Sequence, residues 1–139
     1  AGCVICEVQQ SSNVTYRVYD YNRRGADGKL RPLHVEKAVE VINFKAYADH
    51  TATGSFENVQ GGKIRRLTGC KYFECRKLDL AGVFTEKNEK SFTAINVLKG
   101  EGKADGKPFK AGDSFFVSCG EKFALEGKAE IVLTTEGKE

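Results

Sequence analysis

Hydrophobic and polar residues alternate over the first twenty positions of the chain. Valine and cysteine occupy every second position over residues 4–8, and valine and tyrosine do so over residues 14–18, after a Ser-Ser-Asn sequence suited to a turn. A period of two is typical of a strand with one solvated face, so these two segments predict a β-hairpin. Glu7 and Arg17 would share the polar face of that hairpin.

The period lengthens after Pro32, because apolar residues recur at i, i+3, i+4 and i+7 from Val35. Proline is tolerated in a first helical turn, where its missing N–H would have no partner. The spacing predicts one helix near residues 32–44. No periodic pattern continues over residues 45–62, where several glycines indicate a connecting segment.

Short apolar runs then follow one another at the spacing that is typical of an all-β sandwich or barrel. Glycine turns such as Asp105-Gly106, Gly112-Asp113 and Cys119-Gly120 separate several of them. So many strands in so short a chain favour a closed sheet, since an open one would leave long unpaired edges. We predict a small jelly-roll barrel with strands at 63–67, 72–80, 91–98, 114–118, 122–125 and 130–135.

Composition narrows the classes of partner. The 139 residues include 22 Lys and Arg against 19 Asp and Glu, and the basic residues are scattered, which argues against a nucleic-acid partner. No apolar run approaches the roughly 20 residues of a membrane helix, so we expect no membrane partner. Five cysteines, an odd number, favour free thiols in a reducing, cytoplasmic compartment. Because the chain opens with Ala1 and contains no Met, we expect a processed or excised piece.

Two blocks of the sequence resemble one known family. Residues 7–21 are similar to the pattern E-x-Q-Q-S-S-D-x-T-Y-R-x-Y-D-[YF] of the short bacterial type I mannose-6-phosphate isomerases, with Asn13 in place of the usual Asp. Residues 31–38 resemble the helix start of that family. The segments 97–102, 109–114 and 116–120 resemble the half-motifs of its second cupin barrel, with a glycine in each.

The resemblance implies a zinc-dependent aldose–ketose isomerase that moves a proton between C1 and C2 of mannose 6-phosphate and fructose 6-phosphate. Glu7 and Arg17 match family positions at the active site, the glutamate near the metal and substrate and the arginine facing negative charge on substrate oxygens. Both roles suit an enediol path, which needs a base and a cation. The pattern alone favours a simpler explanation, a cross-strand ion pair on a solvated face.

The family's zinc ligands lie in a part that precedes the residues matched here, so zinc is expected in the parent enzyme and no metal in this chain. His34 and His50 have no carboxylate or thiolate nearby at a ligand spacing, and zinc needs three or four converging ligands. The spacing Cys3-x-x-Cys6 is found in zinc sites, but one cysteine pair without a second is only weak evidence for a metal site. In the second barrel Phe123 falls near the late metal position, which indicates a filled core without metal or chemistry.

The resulting expectation is an all-β cupin-type jelly-roll barrel with one α-helix and a partial strand pair from the missing N-terminal barrel. Its parts would be remnant strands over residues 1–30, a linking helix and connector over 31–62, and the C-terminal barrel over 63–139. Such a chain alone should be inactive, and its exposed remnant strands could form a homo-oligomer. The alternative is a free-standing, non-enzymatic cupin that binds a sugar or a protein partner.

Overall fold

The structure, a computed structural model, describes residues 2–9, 11, 13–45, 54–89 and 91–137. It divides into two compact units, one formed by Ala1–Gln10 with Thr51–Glu139 and the other by Ser11–His50. Within the described ranges, no helix is long and apolar enough to cross a membrane.

The larger unit is a single antiparallel sheet of seven strands, in the order β1-β2-β3-β7-β4-β5, with β6 also paired to β4. This architecture confirms the all-β prediction. The strands are β1 (Glu57–Val59), β2 (Gly62–Gly69), β3 (Phe73–Lys87), β4 (Thr93–Ala104), β5 (Lys107–Lys110), β6 (Ser114–Val117) and β7 (Lys122–Glu136).

One predicted turn shows how the local sequence sets the register. Asp105 and Gly106 have φ angles of 48° and 79°, the positive values that a two-residue hairpin turn requires. Ala104 consequently pairs with Lys107, and β5 returns along β4. The alternation pattern missed β5, and it also missed β1, which lies inside the predicted connector; both strands are short.

The inner face of the sheet forms one hydrophobic core. Leu78 pairs with Ile131 across β3 and β7, and both side chains are fully buried, as is Leu133 on the same face. Aromatic rings contribute to this core, and Phe123 is among the buried ones. The buried phenylalanines of this core are Phe84, Phe109 and Phe123.

A row of glycines bends the sheet where the sequence predicted a break. Residues 122–125 and 130–135 belong to one strand, β7, because Gly127 continues the ladder with a φ of +137°. Gly127 pairs with Gly82 of β3 and Gly102 of β4. A side chain on Gly127 could not fit, since a Cβ there would lie 2.6 Å from the carbonyl oxygen of Glu101.

The bend brings distant parts of one strand together. Arg76 and Glu86 are ten residues apart on β3, a distance of about 33 Å along a straight strand. Their side chains nevertheless meet, with Arg76 Nη2 at 2.6 Å from Glu86 Oε1. Strand β3 therefore folds back on itself near Gly82, and its two halves enclose the core.

The smaller unit contains the predicted helix, shortened at both ends. Helix α1 spans Val35–Val41 instead of residues 32–44. It begins late because the backbone before it is engaged elsewhere: the carbonyl of Pro32 accepts a bond from Arg17, and His34 N donates to Arg17 O. It ends early because Ile42 is extended and the Asn43 side chain accepts a bond from Lys45 N.

The predicted strand pair in the first twenty residues is wrong. Residues 2–9, 11 and 13–19 form no strand, and most of their apolar side chains, such as those of Val4 and Val18, are exposed. An isolated two-stranded hairpin is marginal in water, and alternation alone supplies no neighbouring strand. The backbone of Arg17 is instead bonded to His34.

Candidate functional site

The backbone of Arg17 is fixed to the residue that precedes helix α1. Arg17 N donates to His34 Nδ1 at 3.2 Å, and His34 N donates back to Arg17 O at 2.7 Å. Two reciprocal bonds across a separation of seventeen residues hold the irregular segment against the start of the helix. The main chain of Arg17 is therefore positioned without a β-ladder.

The guanidinium of Arg17 is held as well. Arg17 Nη1 donates to the carbonyl oxygen of Pro32 at 3.0 Å, and Arg17 Nε lies 3.8 Å from Asp20 Oδ1. The side chain retains 20% of its exposure. A guanidinium carries five N–H donors, so this anchoring still leaves donors that can face a ligand oxygen.

Asp20 connects Arg17 to a second arginine. Arg31 forms a bidentate pair with Asp20, through Nε to Oδ2 at 2.6 Å and through Nη2 to Oδ1. The hydrogen bond from Arg31 lowers the pKa of the Asp20 carboxyl below its ordinary value, with smaller contributions from the charges of Arg31, Arg17 and Arg23. The carboxylate is thus kept ionised and can orient Arg17 electrostatically.

Glu7 lies in the other compact unit, in an extended segment outside any strand, and its side chain is exposed. The shared polar face predicted for Glu7 and Arg17 depended on a hairpin that the structure lacks. Each residue is therefore placed by its own surroundings, and their joint role stays a prediction. Sequence alternation could not reveal the contacts of Arg17 with Pro32, Asp20 and His34.

The described residues offer no metal centre. Among them, no group of three or more His, Cys, Asp or Glu side chains is arranged to hold a metal ion. His34 uses Nδ1 to accept the bond from Arg17 N. Cys3 and Cys6 are free and exposed, and His50 lies outside the described residues.

Sequence reasoning missed a group of charged residues on the inner face of the barrel. Glu74, Arg76 and Glu86 line a cavity of about 690 Å³, which we call the polar cavity. Arg76 pairs with fully buried Leu133, so it occupies the core side of the sheet. The signal was present in the alternation, because Glu74 and Arg76 share the phase of Leu78 and Leu80 along β3.

The sequence of this chain is similar to known sugar-phosphate isomerases. A family model described as "Mannose-6-phosphate isomerase, cupin domain" matches residues 63–136. Mannose-6-phosphate isomerase ManA of Bacillus subtilis (strain 168) is 39% identical over 139 residues, a match that covers 96% of this chain and 44% of that protein. The chain thus spans less than half the length of this relative.

Solved structures agree with the fold. The mannose 6-phosphate isomerase from Bacillus subtilis is 30% identical with a TM-score of 0.69, covering 88% of this chain and 40% of that one. A RmlC-like cupin from Shewanella frigidimarina NCIMB 400 has a TM-score of 0.51 at 21% identity, covering 66% of this chain and 93% of that one. The second likeness concerns the fold alone, and together they confirm the predicted cupin barrel.

Proposed function

Because the chain belongs to the mannose-6-phosphate isomerase family, we propose that it forms the C-terminal part of an enzyme that interconverts mannose 6-phosphate and fructose 6-phosphate. The observation that carries this proposal is the match over 96% of the chain to a relative of that name, which includes the segment that holds Arg17. The sugar phosphate would be the substrate of the whole enzyme.

In this proposal Arg17 stabilises negative charge on the substrate. Moving a proton between C1 and C2 places charge on the neighbouring oxygens, and a fixed cation lowers the energy of that state. Support comes from the anchoring of the Arg17 guanidinium to Pro32 and from the ionised Asp20 beside it. A cation that is already oriented needs little reorganisation when the charge develops.

Glu7 is proposed as the acidic member of the same site, near the metal and the substrate. Its carboxylate would accept a proton from the substrate, or a hydrogen bond from a substrate hydroxyl, and the proton shift requires such an acceptor. The assignment rests on the family pattern over residues 7–21, in which Glu7 opens the segment and Arg17 lies ten residues later. It requires the segment to be placed differently from the exposed position that it has here.

Zinc would polarise the sugar oxygens in the whole enzyme. The donor set in the described residues does not fit zinc, since no three ligating side chains converge. We therefore propose that the ligands of the metal lie outside this chain. The isolated chain should then be inactive.

The exposed apolar side chains of the first segments suit an interface. Val4 and Ile5 are 100% and 83% exposed, and Val14 and Tyr19 are also largely exposed. Burying such side chains is favourable, so we propose that they form a homo-oligomer contact when the chain is alone. Sedimentation should then show a species larger than a monomer, which Ile5→Asp dissociates; a monomer at every concentration would contradict this.

A chimera tests the main proposal. This chain replaces the matching 44% of the Bacillus subtilis relative, and the purified chimera is assayed with zinc for conversion of mannose 6-phosphate. We expect activity in the chimera and none in the isolated chain. Arg17→Gln in the chimera should lower kcat by about 100-fold or more, because a charge-stabilising donor is lost.

The matched control is Arg24→Gln, since Arg24 Nη1 also donates to a backbone carbonyl, that of Gly28 at 2.7 Å. It should leave kcat unchanged. Turnover by the isolated chain would overturn its proposed inactivity, and a folded chimera whose kcat is indifferent to Arg17→Gln would remove that residue from the site. A start codon directly before Ala1 in the gene would favour the free-standing binding cupin.

A further inference from the structure

The polar cavity is built on a chain of ion pairs along β2 and β3. Arg66 Nε bonds Glu74 Oε2 at 3.1 Å, and Arg76 Nη2 bonds Glu86 Oε1 at 2.6 Å. Arg76 Nε and Glu74 Oε1 are 4.0 Å apart, beyond hydrogen-bond distance. Each glutamate therefore has one oxygen fixed by an arginine while the other keeps acceptor capacity, since an ionised carboxylate accepts about four bonds.

Two buried donors at this cavity lack a partner. Arg76 Nε and Ser91 Oγ are buried and make no hydrogen bond to any residue that the structure describes. Both residues line the polar cavity. A buried polar group without a partner is costly, and unsatisfied groups that converge on one space indicate a ligand that supplies the missing bonds.

The charges of the lining determine which ligand fits. The lining contains four carboxylates, those of Glu74, Glu86, Glu89 and Glu136, and two cations, Arg76 and Lys87, an excess of two negative charges of which Arg66 offsets one through its pair with Glu74. An anionic ligand, such as a phosphate ester, would meet repulsion there. A ligand that both donates and accepts hydrogen bonds, without charge of its own, matches the alternating donors and acceptors.

One wall of the polar cavity is apolar. Phe92 lines it and stacks on Phe116, with the ring centroids 5.2 Å apart and the planes inclined by 21°. Phe92 remains 38% exposed, so part of its surface is available. An aromatic wall beside carboxylates suits a compact molecule that has apolar C–H surface as well as hydroxyl groups.

From these observations we propose that the polar cavity binds an uncharged polyhydroxylated ligand, of the chemical class of an unphosphorylated monosaccharide. Its volume of about 690 Å³ lies within the roughly 300–1,000 Å³ of small-molecule sites. Paired hydroxyls would donate to the free oxygens of Glu74 and Glu86 and accept from Arg76 Nε. The proposal goes beyond the isomerase function and does not depend on it, because the polar cavity is lined by residues of the larger unit alone.

Binding is tested on the full 139-residue chain by NMR, with D-mannose, D-glucose and D-galactose as neutral probes. Mannose 6-phosphate, inorganic phosphate and putrescine serve as charged probes under the same conditions. We expect at least one neutral sugar to bind with a Kd on the order of 1 mM, and the amide shifts to map to Ser91, Phe92 and Thr135. The anionic probes should bind at least about tenfold more weakly, because the lining is negatively charged. Putrescine should also bind more weakly than the sugar, because an ammonium group has no acceptor for the unpartnered donors Arg76 Nε and Ser91 Oγ.

Two variants make the test specific. Glu86→Gln keeps the shape of the side chain and should weaken sugar binding by about tenfold, because a charge-assisted acceptor is lost. Glu130→Gln is the matched control, since Glu130 is also ion-paired on the same sheet, to Lys77 Nζ at 2.8 Å, but lies outside the polar cavity. It should change the Kd by less than about twofold.

Several outcomes would overturn the proposal. One is that none of the three sugars binds at concentrations up to about 50 mM. Another is that phosphate or putrescine binds more tightly than any sugar. A third is that Glu86→Gln and Glu130→Gln change the Kd of the sugar equally. Ser91→Ala gives a second reading if Glu86→Gln does not fold. It removes the unpartnered hydroxyl without adding bulk and should weaken the same sugar severalfold, while an unchanged Kd would also contradict the proposal.

Discussion

The barrel and the segment before helix α1 have the same alternation of apolar and polar residues but opposite burial. In the barrel, the apolar phase of β3 and β7 is closed off from water, with Leu78 and Leu133 at 0% exposure. Over residues 13–21 the apolar side chains are exposed to solvent, with Val14 64% exposed and Val18 50% exposed. The pattern thus identifies which side chains share a face, whereas burial depends on whether another surface covers that face.

This contrast has a physical cause. Each long strand of the barrel has neighbours on both sides, so its backbone groups are paired and its apolar face meets other apolar faces. The segment around Arg17 is held by a few bonds to Pro32 and His34 instead. Packing stabilises the first region, and hydrogen bonds and ion pairs hold the second.

The sharpest test removes apolar volume from the closed core of the barrel and from helix α1 of the smaller unit, to which the segment around Arg17 is bonded. Leu133→Ala should lower the free energy of unfolding by about 3–5 kcal/mol, because it leaves a cavity in a closed core. Val39→Ala on helix α1, where the side chain is 52% exposed, should change it by less than about 0.5 kcal/mol. Urea unfolding followed by circular dichroism measures both, and a large loss in Val39→Ala would mean that this face is covered in solution.

The glycine row offers the next test. Gly127→Ala should destabilise the barrel by about 2–4 kcal/mol, because the new Cβ meets backbone atoms and the φ angle is strained. Gly112→Ala is the control, since its φ of +93° is also positive but nothing lies within 4 Å of the added atom. It should cost only the conformational strain, about 1–2 kcal/mol. Equal losses in thermal unfolding would show that the backbone at Gly127 can move aside.

The smallest expected effect concerns pH. The hydrogen bond and charge of Lys77 lower the pKa of Glu130 below its ordinary value in the folded barrel. A lowered folded pKa stabilises the protein above the unfolded pKa, and this contribution is lost as the pH falls through the folded value. Glu130→Gln should therefore reduce the decrease in Tm between about pH 5 and pH 3 by about 1–3 °C.

Asp20 provides the counterpart of Glu130 in the smaller unit. The bond from Arg31 lowers its pKa in the same direction. In a carbon-detected NMR titration, Arg31→Gln should raise the pKa of Asp20 towards its ordinary value and leave that of Glu130 unchanged. A shift of Glu130 in this variant would show that the two ion pairs are coupled.

Most of the fold could be predicted from local sequence rules, and the errors in that prediction have physical reasons. Alternation and turn residues predicted the barrel and the turn at Asp105-Gly106. They divided β7 into two strands, 122–125 and 130–135, because a strand that bends through a glycine such as Gly127 has the same sequence signal as a turn. The helix was predicted too long because the backbone before it is engaged by Arg17, a contact between residues far apart in sequence.

Less of the candidate site than of the fold could be predicted from the sequence. The resemblance singled out Arg17, but its anchoring by Asp20 and Pro32 depends on a chain reversal that no periodicity describes. The polar cavity was missed because a filled core was inferred from Phe123, although Phe123 pairs across β3 and β7 with Glu86, one of the residues that line the cavity. Charged residues in the apolar phase of β3, at Glu74 and Arg76, were the available signal.

The fold-back of β3 also determines how the barrel should come apart. Each half of this strand covers one side of the same core, and the Arg76 to Glu86 pair joins the halves. Neither side can open without exposing the other, so local unfolding of one half should be suppressed. Native-state hydrogen exchange should then show amides of β3 on both sides of Gly82 opening together, as a single cooperative unit.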